Sequence, residues 1–343
     1  MLIYIKIIPA KKHPTTFVVG CFLASNPSSS VLNPRQQFQI HHILQQLLAE
    51  IFLGYECVFR RIARSQIIKL IFKDYFQKIQ KTGIASYLKG YDDVATKSMW
   101  LYRLIRAGVK FCYPKIQVEG TDNLPDEPAL IVANHAQMNG PIACELYFPG
   151  NRYTWCAGQM MHLKEVPEYA FQDFWSHKPR RSRWFYKGLS YVIAPFSVCV
   201  FNNAKTIPVY RDARIISTFK TTVKTLCDGA SVVIFPEHDA PYSPIVSRFQ
   251  DKFVDIARLY YKRTGEAVSF VPMYIAPTLK TMYIGKPTVF DPEAPMEQER
   301  QRICDYLMEE ITRIAQELPL HTVVPYRNIP KKDYPKNRQE AAL

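Results

Sequence analysis

The run Val132-Ala133-Asn134-His135-Ala136-Gln137-Met138-Asn139-Gly140-Pro141 carries the clearest chemical signal in the chain. A short apolar stretch, 129–133, delivers an Asn-His pair into a Gly-Pro break. That pattern predicts a buried strand ending in a loop with a histidine at its tip. Open α/β sheets place their chemistry at the carboxyl ends of strands. Histidine has the unperturbed pKa nearest neutrality, which suits a proton acceptor. A lone histidine in such a place is more often a cap or a core residue, but this one has company downstream.

Three further apolar runs repeat the form. Thr206-Ile207-Pro208-Val209-Tyr210-Arg211 ends in an arginine, and Ser231-Val232-Val233-Ile234-Phe235-Pro236-Glu237 ends in a carboxylate. Phe270-Val271-Pro272-Met273-Tyr274-Ile275-Ala276-Pro277 ends in a proline turn. Four strands ending in His, Arg, Glu and a proline turn, in that order, resemble the four blocks of the glycerolipid acyltransferase family, the PlsC-like 1-acylglycerol-3-phosphate acyltransferases. That family's blocks are Asn-His followed by an acid, a strand ending in arginine, Phe-Pro-Glu-Gly, and Val-Pro. The resemblance covers residues 100 to 320. It departs at two places. The family pattern H-x-x-x-x-D puts the acid at position 140, where this chain has Gly140, and the nearest polar residue is Asn139. After Phe-Pro-Glu the family continues Gly-Thr-Arg, whereas here the chain runs His238-Asp239-Ala240.

Moving an acyl group from a thioester to a hydroxyl needs a base for the hydroxyl proton, donors for the oxyanion and an anchor for the acceptor. The resemblance assigns the base to His135. Asn139 could fix its tautomer without supplying charge; a backbone carbonyl, Asp239 or Asp212 could do so instead. Arg211 is expected to hold an acceptor phosphate through a charge-assisted bond. Glu237 is expected to shape the acceptor site, with Asn134 and Gln137 beside it as further substrate-binding residues. Arg214 and Arg248 are candidates for the missing phosphate ligand. Acyl-CoA or acyl carrier protein would serve as co-substrate, with no bound cofactor. No metal is implied, because His135, His162, His177 and His238 lack ligand spacing. The departures leave a second reading open, a catalytically weak or inactive relative that binds lipid without transferring it. A serine or cysteine hydrolase is disfavoured, since no G-x-S-x-G elbow is present.

These residues need a sheet to carry them. Alternating patterns predict strands near 116–119, 129–134, 153–157, 206–210, 231–236, 268–275 and 281–285. Helices are predicted near 141–147, 213–228, 248–264 and 296–317, the last amphipathic through Ile303, Leu307, Ile311 and Ile314. Strands alternating with helices imply an α/β fold with a mostly parallel central sheet flanked by helices. The chain divides into an N-terminal extension (1–98), an acyltransferase-like domain (99–320) and a basic C-terminal tail (321–343). Within the extension, residues 1–35 read as irregular, and 38–80 as amphipathic helices mixing bulky apolar and basic residues.

Hydrophobic residues make up 48% of the 343, ample for a core. Net charge is +14 and uneven: residues 1–120 hold 17 Lys/Arg against 6 Asp/Glu. The segment 165–203 adds a cluster that includes Trp175, Arg180, Arg181, Arg183, Trp184, Tyr186 and Lys187, followed by an apolar stretch. Cations beside amphipathic rings suit an anionic lipid headgroup layer. No recognisable nucleic-acid-binding motif accompanies the charge. No apolar run reaches the roughly 18 residues a bilayer span needs. The expected partner is therefore a phospholipid surface and not nucleic acid, and the expected location is the cytoplasmic, inner face of the cell membrane, held peripherally. The eight cysteines, none in a C-x-x-C pair, read as buried thiols of a reducing compartment.

Overall fold

In a period-2 strand, successive side chains point to opposite faces of a sheet. When both faces are covered, every residue of the strand is apolar. Three of the four apolar runs, those of the sheet interior, obey this rule, whereas the fourth, residues 206–209, is an edge strand and mostly half-buried. In the computed structural model, which describes residues 2–9, 17–24, 98–176, 179–327 and 329–338, β4 (Leu130–Ala133) is buried along its whole length. Leu130 and Val132 enter one core and Ile131 and Ala133 the other. The same alternation divides β7 (Ser231–Ile234) and β10 (Ser269–Ala276): Val232, Ile234, Phe270 and Tyr274 lie on one side, Val233, Val271, Met273 and Ile275 on the other.

The sheet is completed by β3 (Gln117–Glu119), β5 (Arg152–Ala157), β6 (Thr206–Val209) and β11 (Thr281–Ile284). Its order is β3-β11-β10-β4-β7-β5-β6, with β12 (Thr288–Val289) also paired to β10. Neighbours from β10 through β4, β7 and β5 to β6 are parallel, as are β11 and β3. Only β10 with β11 and β10 with β12 are antiparallel. This is the expected α/β fold. The parallel run matters for function, because it brings the carboxyl ends of β4, β7, β5 and β6 to one edge.

Helices cover both faces. On one side lie α5 (Ile215–Cys227), α6 (Asp255–Thr264) and α7 (Met296–Glu317). The expected stripe of α7 is confirmed: Ile303, Leu307 and Ile311 are fully buried and Ile314 packs at its margin. On the other side lies α2 (Asn139–Tyr147), with the end of α1 (Met99–Cys112). Burying a Leu- or Ile-sized side chain contributes about 1.5–3 kcal/mol, so these stripes dominate the packing.

Three elements differ from expectation. The 165–203 segment, expected to present its aromatic and basic residues to a lipid surface, is largely helical and partly buried. It holds α3 (Val166–Ala170), a π-helical turn (Phe171–Trp175) and a 21-residue helix, α4 (Arg183–Asn203). Pro195 sits inside α4, yet the helix continues, because Ala194, Val198 and Cys199 bury their side of it in a third core with Leu101, Val166 and Ala170. Trp175 and Tyr186, expected at a lipid surface, stack on each other inside that core. Trp184 and Tyr191 remain exposed, as do Trp100 and Phe111 on α1. Second, the predicted helix 248–264 begins only at Asp255; before it, β8 (Glu237–Pro241) and β9 (Ser247–Phe249) form a hairpin. Third, within the stretch read as irregular, β1 (Leu2–Pro9) pairs antiparallel with β2 (Phe17–Ala24). Their β-branched content supplies the reason. The basic helices expected over 38–80 lie outside the described residues. Of the six cysteines from Cys112 onward four are buried, Cys156 is half-buried and Cys227 is exposed. Among the described residues, no helix is long and apolar enough to cross a membrane.

Candidate active site

His135 leaves the carboxyl end of β4 and its main chain turns at once. Its backbone N–H donates to Glu237 Oε1 at 2.8 Å. Glu237 follows β7, the neighbouring strand, so one carboxylate spans the two strand ends. Its other oxygen accepts the Ser247 N–H at 3.2 Å. The side chain is 3% exposed. Burial raises its pKa to about 7, opposed by the two N–H donors. The consequence for stability has a definite sign. An ordinary glutamate ionises near about 4.3. Between that value and about pH 7 the unfolded chain loses this proton while the folded one keeps it. The contribution is therefore present at low pH and lost as pH rises to about 7, to the extent of about 3–4 kcal/mol. The difference in denaturant midpoint between the wild type and Glu237→Gln should change across pH 5–8, the wild type losing ground as pH rises. Parallel profiles would remove Glu237 as the titrating group. The glutamine variant should also be less stable throughout, since it has one acceptor oxygen for two donors.

The loop beyond His135 is strained. Ala136 and Gln137 both take left-handed conformations, φ 45° and 54°, although neither is glycine. The turn brings the Gln137 carbonyl back onto the His135 ring, 2.5 Å from Nδ1. A carbonyl only accepts, so the neutral ring carries its proton on Nδ1 and leaves Nε2 as the basic nitrogen. No described residue hydrogen-bonds Nε2. Phe235 and Tyr326 meet the ring edge-on, with centroids 5.2 and 5.9 Å away. Burial among them lowers the His135 pKa below its usual value, with the Gln137 carbonyl acting against that shift.

The other expected residues distribute unevenly. Asn134 is buried and continues the β4–β10 ladder with its side chain: Oδ1 accepts the Ile275 N–H at 2.7 Å and Nδ2 donates to the Ile275 carbonyl at 3.1 Å. Both polar groups of its side chain are thus committed to the β10 backbone. Asn139 does not orient the ring. Its Nδ2 donates to the Ala136 carbonyl at 3.1 Å, and its Oδ1 accepts the Tyr113 hydroxyl at 3.3 Å. Of the partners considered for Nδ1, the backbone carbonyl is the one in place. Asp212 is held by Arg214, and Asp239 is paired with Arg327. Arg214 is itself committed: it chelates Asp212, lies 3.6 Å from Glu165 and stacks over the Tyr210 ring at 3.8 Å. Arg248 is on β9, where its charge acts on Tyr242. The Gln137 side chain faces the C-terminal tail and not a substrate.

Arg211 is different. It is exposed beyond the end of β6 and makes no ion pair or hydrogen bond with any described residue. Its charge acts on Tyr169, Asp173 and Tyr326. Tyr326 links the two halves of the site. Its ring touches His135, and its hydroxyl, raised first by burial, is pushed further up by Asp173, Glu237 and Asp239 and pulled down by Arg211. His135, Glu237 and Arg211 are thus gathered at one sheet edge, around a tyrosine that strand patterns do not reveal. A proline-flanked aromatic in a basic tail, Pro325-Tyr326-Arg327, was the only available signal. Among the described residues, no three His, Cys, Asp or Glu side chains form a metal-ligating group.

No protein-family model matches this chain, and no curated protein matches it. Among solved structures it is similar to the 1-acyl-sn-glycerophosphate (LPA) acyltransferase PlsC from Thermotoga maritima. The alignment has 16% identity and a TM-score of 0.37 and covers 82% of this chain and 99% of that one.

Proposed function

We propose that this protein is an acyltransferase that moves a fatty acyl chain from acyl-CoA or acyl carrier protein to the hydroxyl of a lysophospholipid-type acceptor. The observation that carries the reading is the His135 ring: Nδ1 is held by a carbonyl and Nε2 is free, at the same sheet edge as an unpaired arginine. The order of the four sequence blocks supports it. In the reaction Nε2 takes the acceptor hydroxyl proton as the oxygen attacks the thioester carbonyl carbon. The tetrahedral oxyanion then collapses, the carbon–sulfur bond breaks, and the thiolate leaves with the proton from the imidazolium. Arg211 holds the acceptor phosphate.

The purified full chain, supplied with labelled acyl-CoA or acyl carrier protein and lysophosphatidic acid, tests the reading by product formation. Arg211→Ala should raise KM for a phosphate-bearing acceptor roughly 10- to 100-fold, the worth of one charge-assisted hydrogen bond. It should change stability little, because Arg211 makes no hydrogen bond or ion pair with any described residue and acts on its neighbours only through its charge. An equal effect on an acceptor without phosphate would deny Arg211 this role. The second reading, lipid binding without transfer, is favoured by the absence of a carboxylate on Nδ1. It gains if the wild type binds lysophospholipid but shows no turnover with either donor. In both readings the protein works on a phospholipid surface, reached through the basic N-terminal part and the exposed Trp184 and Tyr191. Co-sedimentation with anionic vesicles should weaken as salt rises. Equal binding to neutral vesicles would show that the charge plays no part.

A further inference from the structure

The Gln137 carbonyl occupies the place of an orienting acid, and something must hold it there. Two consecutive left-handed non-glycine residues are disfavoured, because each Cβ crowds the following carbonyl oxygen. The opposing contacts come from the far end of the chain. Gln137 Nε2 donates to the Arg327 carbonyl at 3.1 Å and lies 3.0 Å from the Tyr334 hydroxyl, which in turn lies 3.2 Å from Gln137 Oε1. Arg327 also pairs with Asp239. The segment 322–336 is closed at its base like a strap. Thr322 bridges Lys336, Val323 N–H donates to the Pro335 carbonyl at 2.9 Å, and Asn337 N–H donates to the His321 carbonyl at 3.1 Å. The base is seated: Val323 and Asn337 are each 1% exposed, and the Asn337 amide donates to the Ala315 carbonyl at the end of α7 at 2.7 Å. The strap tip therefore has a fixed anchor and reaches the His135 loop from outside.

We infer that Gln137 is the positioning residue for His135, and that the C-terminal strap, through the Tyr334 hydroxyl, holds Gln137 so that its carbonyl fixes the imidazole tautomer. The strap is a working part of the site, although it follows the four blocks that resemble the acyltransferases. Its contribution is orientation. The strap tethers the Gln137 side chain, the tether keeps Ala136 and Gln137 left-handed, and that conformation aims the carbonyl at Nδ1. The bond is made by the main chain, so side-chain variants at 137 keep the acceptor and lose only its restraint. The kinetic consequence rests on the acyl-transfer reading; the tautomer does not.

Nitrogen NMR of labelled histidine in the full chain, with His135 assigned by its loss in His135→Gln, separates the two. In the wild type, neutral His135 should be protonated on Nδ1 alone. Tyr334→Phe and Gln137→Ala should each convert it to a mixture of tautomers. They should lower kcat roughly 10- to 100-fold, as expected of a misplaced catalytic group, with KM little changed. Gln137→Ala should have the larger effect, because Tyr334→Phe leaves the bond from Gln137 to the Arg327 carbonyl in place, and the double variant should be no worse than Gln137→Ala alone, because that change already removes the whole tether. If the two variants lose stability while folded protein keeps the wild-type tautomer and kcat, the strap is merely structural and the inference fails. It also fails if wild-type His135 carries its proton on Nε2. If the tautomer shifts as stated but the wild type transfers no acyl group, the strap assignment stands and the acyl-transfer reading falls.

Discussion

We expect His135→Ala to lower the proposed acyl transfer by about 10²–10⁴-fold while the protein stays folded. The rate effect is the usual contribution of a positioned general base. The fold survives because the bond that ties this loop to β7 uses the backbone N–H of residue 135, which alanine retains. The ring itself is half-buried, and its contacts with Phe235 and Tyr326 are edge contacts of modest worth. Transfer of a labelled acyl chain, read together with the thermal midpoint, separates catalysis from stability. The pH profile supplies a second signature. Burial lowers the His135 pKa below 6.5, so the acid limb of kcat/KM should lie below that value. Serine-protease triads show why the missing acid need not abolish activity. There, exchanging aspartate for asparagine costs about 10⁴-fold because the imidazole is held in the wrong tautomer. A backbone carbonyl cannot donate, so it enforces the productive tautomer, though without a full negative charge to stabilise the imidazolium. Unchanged turnover in the alanine variant would exclude His135 as the base.

Restoring the acid of the acyltransferase pattern should inactivate this protein. Gly140→Asp puts a side chain where none fits. A Cβ at position 140 would lie 2.4 Å from the His135 carbonyl oxygen and 3.0 Å from Phe235 Cε1. The carbonyl cannot swing aside freely, because it accepts the Gly140 N–H at 3.1 Å. Contacts this short with backbone are relieved only by moving the loop, which also carries the base. We expect Gly140→Ala alone to destabilise by about 3 kcal/mol, the upper part of the range for overpacked sites. That corresponds to roughly 5–10 °C in thermal midpoint. Gly140→Asp should be worse, since a carboxylate enters a site already holding buried Glu237. Both variants should lose turnover. A gain in turnover by the aspartate variant at an unchanged midpoint would show that the loop opens to accept an acid, and that the Gln137 carbonyl is replaceable.

The residues that end the strands were legible from local pattern. Apolar runs of period 2 located β4, β6, β7 and β10 to within one or two residues. The parallel arrangement followed from strands alternating with helices, and it put His135, Glu237 and Arg211 at one edge. Arg214 and Asn134 were legible as polar residues near a site, but the partners that hold them were not. Their roles depend on neighbours across space: Asn134 meets Ile275, 141 residues away. The helix α4 was hidden by Gly188 and Pro195, local breakers overruled by burial of one face against α3 and α1. That a backbone carbonyl could meet the His135 ring was conceivable from the sequence, but which carbonyl was not readable. A backbone carbonyl has no residue type to recognise, and its direction depends on two left-handed dihedrals that alanine and glutamine do not advertise. What opposes that strain is a contact between Gln137 and Tyr334, 197 residues apart. Local sequence specifies period and polarity, and with them which side chains reach the sheet edge. Which atom then faces which is set by the packing of the whole chain, because hydrogen bonds act over about 3 Å and nothing local brings such distant residues that close.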